Sequence, residues 1–360
     1  MKAAVFHGPN KPLTIENVEV AKPIGREVLV RTVASGVCHS DLHFVDGYYP
    51  FPPPAILGHE AAGIVEAVGP HVTEFKAGDH VIACLSVFCG HCSYCLTGRT
   101  HLCQSRPART PQDPPKLTWN GAAVNQFANL SAYAEKMLVH ENGLVKVRDD
   151  MPLDRGALIG CGVTTGVGAV LNTARVEAGA TVAVYGAGGV GLAVIQGARI
   201  AGAGMIIAVD VFESKLAKAK ELGATHTVDS SKVDPVKAIR EMTNGGVEYA
   251  FEAIGLKKAA EQCFECIRPG GTATVIGMIP PNDRVSLPGP DFLIEKRIQG
   301  CRMGSNRFWI DMPRYVDLYL QGRLLLDELV SARISLDDIN SGFKRLQGGD
   351  VARSVIVFDS

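Results

Sequence analysis

The heptad VCHSDLH, residues 37–43, places one cysteine, two histidines, one serine and one aspartate within six consecutive positions. Such side chains can bind a metal, carry a proton or contact a charged cofactor, and they can also lie on a polar surface. Candidate partners occur in ILGHEAAG, which contains His59 and Glu60, and in IGCGVTTG, which contains Cys161. One histidine and two cysteines, with a fourth position left to water, are typical of a catalytic zinc that acts as a Lewis acid. Spacing alone leaves open whether Cys38, His59 and Cys161 converge.

A second set of cysteines is closely spaced. The segment FCGHCSYCLTGRTHLC contains Cys89, Cys92, Cys95 and Cys103, separated mostly by glycine and polar residues. Four thiolates with short connections favour a closed tetrahedral zinc with no position for a substrate. The pattern predicts a structural zinc site, and the alternative is a group of packing cysteines.

The segment TVAVYGAGGVG, residues 181–191, indicates a dinucleotide site. Its glycines follow a predicted strand and open a predicted helix, which is the context in which GxGxxG binds a pyrophosphate. Asp210 ends the next predicted strand, 24 positions beyond Gly186, where an acid can bind the adenosine ribose and repel a 2′-phosphate. NAD is therefore favoured over NADP, and a glycine-rich turn without a nucleotide is the alternative. The predicted cofactor contacts from this pattern are Gly186, Gly188, Gly189, Gly191, Asp210 and Lys215.

The composition is that of a globular protein. Among 360 residues, 46% are hydrophobic, and 36 Lys and Arg nearly balance 37 Asp and Glu, so no summed charge would attract nucleic acid or an anionic membrane. The start, MKAAVFHGPNKPL, has no apolar run long enough for a signal peptide, which favours a cytoplasmic location with thiols reduced or bound to metal. The uncharged run 178–198 contains six glycines and fits a buried strand, turn and helix better than a membrane span.

The elements that must position these residues change in type along the chain. Short β-rich segments broken by Gly and Pro predict an irregular β domain in the first 150 residues. From about residue 155, strands alternate with helices, which predicts βαβ units and a parallel sheet. Beyond residue 300 we expect a helix over 313–321, a helix from a Ser335 cap through Leu346 and a last strand, RSVIVF. The earlier predicted strands are 2–7, 27–33, 62–69, 79–85, 131–139, 180–186, 205–210, 225–229, 247–253 and 272–277, with helices at 213–223 and 235–246 and a long loop at 105–127.

These motifs occur in the order found in the zinc-dependent medium-chain alcohol dehydrogenases. VCHSDLH, the GHExxGxxxxxG pattern from Gly58, the four-cysteine lobe, GCGVTTG and GAGGVG cover nearly the whole chain, and the loop 105–127 resembles one found in the vertebrate-liver type. The resemblance implies an α/β fold with a GroES-like irregular β catalytic domain and a Rossmann coenzyme domain, which is a doubly wound parallel sheet. The implied domains are 1–162 for catalysis, with the zinc lobe at 86–104, then 163–300 for NAD binding, and 301–360 as the return to the catalytic domain. A homodimer, or alternatively a homotetramer, is expected from the resemblance only.

The resemblance also implies roles around the catalytic zinc. Cys38, His59 and Cys161 would hold the ion, Asp41 would accept the N–H of the zinc histidine, and Glu60 would approach the ion during ligand exchange.

Further roles concern the proton, the cofactor and the substrate. Ser40 would accept the proton of the alcohol and His43 would pass it through the cofactor ribose to solvent. The other implied contacts are His39 and Arg353 to the pyrophosphate, Thr165 and Val190 to the nicotinamide, and Tyr49, Leu85, Trp119, Phe127 and Met278 to the substrate.

The implied activity is reversible, NAD-dependent oxidation of primary or secondary alcohols to aldehydes or ketones. Hydride would leave a zinc-bound alkoxide for the nicotinamide, with two zinc ions per subunit. One alternative is a nicotinoprotein alcohol dehydrogenase that keeps NAD permanently bound. Another is a zinc-stabilised binding module without catalysis, against which the intact set Cys38, His59 and Cys161 argues. Neither nucleic acid nor a membrane is an expected partner.

Overall fold

In the computed structural model, residues 1–348 and 353–359 are described, and the chain divides into two units. The first comprises Met1–Cys161, Arg307–Gly322 and Leu326–Ser360, and the second comprises Gly162–Asn306 and Arg323–Leu325.

The first unit is rich in short strands. Its main sheet has the strand order β12-β7-β6-β4-β20-β19, with β11 also paired to β4, and smaller sheets have the orders β10-β5-β1-β2 and β3-β8-β9. The strands are β1 (Lys2–Phe6), β2 (Thr14–Asn17), β3 (Glu19–Val20), β4 (Glu27–Gly36), β5 (Ala55–Ile56), β6 (Ala61–Val68), β7 (His80–Ala83), β8 (Leu117–Trp119), β9 (Ala122–Ala123), β10 (Asn125–Gln126), β11 (Lys136–His140), β12 (Leu144–Lys146), β19 (Val330–Ile334) and β20 (Arg353–Val357). Its α-helices are α1 (His39–Val45), α2 (Ser93–Leu96), α3 (Leu153–Leu158), α9 (Phe308–Leu320) and α10 (Ile339–Gly348).

Strand β4 organises the part of this unit that carries the heptad. Its side chains alternate between buried and partly exposed along EVLVRTV, as expected for a strand with one face on a core. Because β4 runs antiparallel to β6, with Ser35 opposite Ala61, the end of β4 lies beside the start of β6. The residues that follow β4 and precede β6 are therefore neighbours.

The second unit, all of whose residues are described, contains a parallel sheet with the order β15-β14-β13-β16-β17-β18. This is the doubly wound order, with a switch point where β13 lies beside β16. Its strands are β13 (Thr181–Tyr185), β14 (Met205–Asp210), β15 (His226–Asp229), β16 (Val247–Glu252), β17 (Ile267–Val275) and β18 (Arg297–Gly300). Its α-helices are α4 (Thr164–Gly168), α5 (Gly189–Ala201), α6 (Glu213–Glu221), α7 (Pro235–Met242) and α8 (Lys257–Cys266).

Local signals explain where several of these helices begin and end. In α7, the Asp234 carboxylate caps the helix by accepting the N–H of Lys237 at 3.0 Å, and Pro235 occupies the first turn. Helix α5 ends at Gly202, whose φ of 82° suits glycine.

Several predicted elements were wrong in extent. The strand predicted over 272–277 spans Ile267–Val275, and the helix predicted over 235–246 ends at Met242. The strand predicted over 131–139 begins only at Lys136. Ser131 has a positive φ of 60°, which interrupts the extended backbone before the strand.

The helix predicted to start at Pro313 begins at Phe308, with Pro313 inside its second turn. At this depth proline removes one hydrogen bond of the helix, and the burial of Phe308, Met312 and Tyr315 offsets that cost.

The described residues include one helical stretch, Leu153–Ala174, that is long and apolar enough to cross a membrane. The share of its apolar window buried inside the protein is 78%, which is typical of a core helix. The run 178–198, as predicted, forms strand β13, a turn and helix α5.

Candidate zinc and cofactor sites

Cys38, His59 and Cys161 come together in the first unit. Cys38 follows β4 and precedes α1, whereas His59 lies two positions before the first residue of β6. Cys161 lies in a π-helical turn, Ile159–Val163, where Gly160 packs so closely that a Cβ would stand 2.8 Å from the Ala83 carbonyl. All three side chains are buried, and their ligand atoms lie within 4.8 Å of one another.

The donor set of this cluster fits zinc. Two sulfurs and one imidazole nitrogen are ligands that zinc prefers, and three protein ligands leave a fourth position for a substrate. A hydrogen bond with the Cys161 thiol lowers the pKa of Cys38, and the nearby His59 and Arg353 act in the same direction. A thiolate is the form of cysteine that binds a metal, so the lowered pKa of Cys38 favours metal binding at this residue.

Asp41 holds the imidazole of His59. Its Oδ1 accepts the N–H of His59 Nδ1 at 3.0 Å and the backbone N–H of Gly58 at 3.1 Å. Its Oδ2 accepts the hydroxyl of Tyr133 at 2.8 Å. With Nδ1 engaged, Nε2 is the nitrogen available to a metal.

Glu60 and Arg353 form a buried ion pair beside the cluster. Arg353 Nη1 lies 3.3 Å from Glu60 Oε2. Burial raises the pKa of Glu60 to about 8, although the Arg353 charge opposes that shift. Arg353 is thus placed against a carboxylate, and its predicted contact with a pyrophosphate stays a prediction.

Besides Asp41, three polar residues of the heptad lie on α1. His39 is exposed at the start of the helix, Ser40 follows it, and the ring centroids of His39 and His43 are 5.2 Å apart. Burial lowers the pKa of His43, and the charge of His39 lowers it further. A neutral His43 can accept a proton near neutral pH.

An aromatic cluster adjoins His59 through the ring of Phe127. The Phe127 ring centroid lies 6.0 Å from that of His59, 4.8 Å from Phe44 and 5.1 Å from Phe51, and Tyr49 lies 5.9 Å from Phe44. The sequence analysis named Tyr49 and Phe127 but missed Phe44 and Phe51. The aromatic density of FVDGYYPF, directly after the heptad, is the signal that could have found them.

Two predicted pocket residues have other contacts. The Trp119 ring lies 5.2 Å from the ring of His7. Leu85 packs against a core cluster that includes Val81, Ala83 and Leu144. Their predicted contact with a substrate stays a prediction.

The four cysteines of the lobe also converge. Sulfur–sulfur distances are 3.5 Å for Cys92–Cys95, and 3.9 Å for both Cys89–Cys95 and Cys92–Cys103. A tetrahedral zinc with 2.3 Å bonds would separate its sulfurs by about 3.8 Å, so the cluster matches the ion in size. A backbone hydrogen bond from Cys95 helps lower the pKa of Cys92 to about 6, which favours a thiolate.

In the second unit, the glycine motif forms the turn between β13 and α5. Gly186 has a φ of 94°, and a Cβ on it would lie 2.5 Å from Ile254 Cγ1. A Cβ on Gly191 would lie 1.7 Å from the Gly186 carbonyl oxygen, so only glycine fits. A Cβ on Gly188 would face open space, and the N-cap position of α5 supplies no side-chain acceptor. Free N–H groups at an open helix start suit a pyrophosphate.

The other predicted cofactor residues of this unit lie near the glycine turn or make contacts elsewhere in the unit. Asp210 Oδ2 accepts the N–H of Ala187 at 2.8 Å, so this carboxylate also braces the glycine turn. Lys215 Nζ lies 4.8 Å from the centroid of the Phe212 ring. Gly189 and Val190 open α5, and the Thr165 hydroxyl lies 3.3 Å from Met303 Sδ. The backbone of Met278, a predicted substrate contact, packs against Gly255.

Glu252 is a residue that the sequence analysis missed. It ends β16 beside the switch point, is fully buried, and accepts the N–H groups of Ile254 at 2.8 Å and Gly255 at 2.6 Å through Oε1. Its Oε2 accepts the N–H of Gly277 at 3.1 Å. The carboxylate therefore ties two loops at the carboxyl edge of the sheet. An acid at the end of an apolar parallel strand was the available signal.

Comparison with known proteins identifies relatives over the whole chain. A model of the alcohol dehydrogenase GroES-like domain matches residues 25–149, and one of the zinc-binding dehydrogenases matches residues 189–321. Alcohol dehydrogenase class-3 of Drosophila melanogaster is 39% identical over 370 residues, covering 99% of this chain and 97% of that protein.

Solved structures give the same result. An alcohol dehydrogenase zinc-binding domain protein from Burkholderia ambifaria has a TM-score of 0.95 at 39% identity, with 100% of this chain and 99% of that chain covered. Benzyl alcohol dehydrogenase from Acinetobacter calcoaceticus has a TM-score of 0.94 at 36% identity, with 99% of each chain covered.

These relatives confirm the expected α/β fold with GroES-like and Rossmann parts. They also establish an oxidoreductase of a zinc-binding family, in agreement with the two cysteine-containing clusters. Because the two family models match most of the chain and the curated relatives are 38–39% identical over 99% of it, the chain belongs to the zinc-dependent medium-chain alcohol dehydrogenases.

Proposed function

We propose that this protein reversibly oxidises primary or secondary alcohols to aldehydes or ketones with NAD as the hydride acceptor. The observation that carries the proposal is the convergence of Cys38, His59 and Cys161 in a buried cluster with room in its donor set for one further ligand. When bound, zinc would supply a Lewis acid and NAD a hydride acceptor.

The chain's own residues would prepare and protect this chemistry. Cys38, His59 and Cys161 would hold the metal, and Asp41 would keep the imidazole in the tautomer that ligates through Nε2. The rings of Phe44 and Phe127 would exclude water from the alcohol side.

Proton removal is assigned to α1. The Ser40 hydroxyl would accept the alcohol proton, and His43 would receive it in turn. Burial and His39 keep His43 neutral at a pH where an ordinary histidine is partly protonated. The proton would then leave toward solvent through the cofactor ribose.

The choice of NAD rests on the glycine turn and Asp210. The turn offers unpaired N–H groups beside Gly188, where a pyrophosphate could approach the backbone. Asp210 carries a carboxylate next to that turn, and a 2′-phosphate placed there would meet a like charge. By the same reasoning, Gly186, Gly189, Gly191 and Lys215 are proposed cofactor contacts.

We further propose that aromatic primary alcohols are preferred. Four aromatic rings lie in a connected cluster that includes a neighbour of the zinc histidine, and such rings pack well against a phenyl group. A structural relative is a benzyl alcohol dehydrogenase.

The test is NADH formation by the zinc-loaded protein. Benzyl alcohol should be oxidised with a kcat/KM about tenfold or more above that of ethanol, as expected from burial of a phenyl ring, and NADP should support far less turnover than NAD. The variant Phe51→Leu keeps the site apolar and should lower kcat/KM for benzyl alcohol several-fold while leaving that for ethanol nearly unchanged. No NADH formation from any alcohol would refute the proposed activity.

The pH dependence of oxidation tests the relay. Since burial lowers the pKa of His43, wild-type activity should persist as pH falls through the usual histidine range, near 6.5, and decline only below it. The variant His43→Gln cannot accept the proton, so its rate at pH 7 should fall by about tenfold or more and should rise steadily with pH. Steady-state rates between about pH 5 and pH 9 measure both curves.

His39→Gln is the matched control on the same helix. It keeps the relay, and it should shift the acid limb slightly upward because one cause of the low His43 pKa is lost. If His43→Gln kept the wild-type rate and pH profile, the assignment of the relay to His43 would be wrong.

A further inference from the structure

Tyr133 is linked to the catalytic cluster by hydrogen bonds. It is not a proposed metal ligand, and one residue, Asp41, lies between it and His59 in the hydrogen-bond chain. Its side chain is fully buried, and its hydroxyl donates to Asp41 Oδ2 at 2.8 Å. Asp41 Oδ1 in turn accepts the N–H of His59 Nδ1. One hydroxyl, one carboxylate and one imidazole thus form a chain that ends at a zinc ligand.

The Tyr133 ring is held in place by the backbone that precedes His59. Gly58 has a φ of 90°, and a Cβ on it would lie 2.7 Å from Tyr133 Cδ1. The Tyr133 N–H donates to the Leu57 carbonyl at 3.1 Å, and the Ala132 N–H donates to the Gly58 carbonyl at 3.0 Å. The segment that carries His59 and the segment that carries Tyr133 are therefore joined by two backbone hydrogen bonds and by close packing at Gly58.

The carboxylate of Asp41 depends on this hydroxyl. Asp41 is fully buried, and within the described residues Tyr133 is the donor that satisfies Oδ2. A buried carboxylate oxygen without a donor is costly, and the Asp41 side chain would relieve that cost by rotating away from its present position or by admitting a water molecule. Either change would weaken the acceptor that orients His59.

We propose that Tyr133 is a positioning residue of the catalytic zinc site, which acts through Asp41 to fix the orientation and ligand strength of His59. The inference rests on the proposed binding of zinc by Cys38, His59 and Cys161. Outer partners of this kind typically contribute 10- to 100-fold to metal affinity. The ring supplies the packing, and the hydroxyl supplies the effect on the metal.

The test is zinc release from the reconstituted holoprotein to an excess of a chromogenic chelator. The release phase of this site is identified as the one that Cys38→Ser lacks. In Tyr133→Phe, which removes only the hydroxyl, this phase should be about 10- to 100-fold faster, and release from the four-cysteine lobe should be unchanged. Tyr315→Phe makes the same change at another buried tyrosine of the first unit and should release zinc at the wild-type rate.

A double-variant cycle tests the route. If Tyr133 acts through Asp41, the pair Asp41→Asn and Tyr133→Phe should release zinc no faster than Asp41→Asn alone, within about twofold. Cobalt substituted at the site should show an altered visible spectrum in Tyr133→Phe, because the ligand field of His59 changes. Multiplying effects in the double variant, or wild-type release and spectrum in Tyr133→Phe, would overturn the proposal.

A second substitution covers the case in which Tyr133→Phe does not fold. Incorporating 3-fluorotyrosine at position 133 keeps the ring and makes the hydroxyl a stronger donor, so zinc release should be slower than in the wild type, and equal or faster release counts against the proposal. These readouts do not need turnover, so a protein that binds zinc here without oxidising alcohols would refute the proposed activity alone. A wild-type protein that holds zinc only in the lobe would overturn both.

Discussion

Replacing Cys38 by serine is expected to lower alcohol oxidation by about a thousandfold or more and to reduce the zinc content from two ions per chain to one. The Cys38 thiolate is one of three proposed ligands in the buried cluster, and its loss would remove the Lewis acid that is proposed to lower the barrier by several kcal/mol. Binding of NADH should stay measurable, because the glycine turn belongs to the second unit. Elemental analysis, steady-state rates and NADH titration measure the three quantities.

Cys84→Ser is the matched control for this change. Cys84 is as deeply buried as Cys38 and belongs to neither cysteine-containing cluster. Its replacement should preserve both zinc ions and most of the activity. Undiminished turnover by Cys38→Ser would contradict the ligand assignment.

Replacing Cys103 by serine is expected to release the zinc of the lobe and to lower the free energy of unfolding by at least about 3 kcal/mol. The lobe has little packing of its own: helix α2 has only four residues, none of them buried, and Leu96 is 74% exposed. A zinc ion bound by the four sulfurs would therefore supply most of the stability of the lobe. Thermal unfolding, zinc content and cleavage by protease within residues 89–103 report the loss.

A variant in the same loop separates loss of the metal from loss of a loop residue. His91 is exposed, its ring is hydrogen-bonded to the Cys89 carbonyl, and it is not part of the cluster. His91→Gln should keep the zinc and the unfolding temperature of the wild type. Retention of two zinc ions and of full stability by Cys103→Ser would show that the lobe does not depend on the four-sulfur site.

The short-range sequence patterns predicted local structure correctly because that structure depends on interactions among residues close together in the chain. Gly186 and Gly191 are dictated by the turn in which they stand, where a side chain would meet an atom of Ile254 or of the turn itself. The lobe cysteines are linked by short loops, so their convergence follows from the length of the chain between them. The strand of MIIAVD and its terminal Asp210 followed from the composition of that segment alone.

Errors arose where a segment has no dominant local preference. Residues 132–134 are apolar, as a buried strand would be, but Ser131 and Asn129 adopt positive φ and the chain turns before β11 begins. The helix α9 was predicted only over 313–321, whereas Phe308 and Met312 are buried and the helix extends further toward the N-terminus. Burial against the rest of the unit overrode the local signal.

What the sequence by itself determined was the chemistry on offer: two sulfur-rich sets of ligands, a glycine turn for a pyrophosphate and a histidine and serine beside a zinc ligand. What only the tertiary structure decided was which of these side chains meet. Cys161 reaches Cys38 and His59 through the pairing of β4 with β6 and the close packing of Gly160, and Tyr133 reaches Asp41 across 92 positions of the chain. Contacts between distant positions depend on strand register and on packing within the fold, and no local pattern encodes either of them.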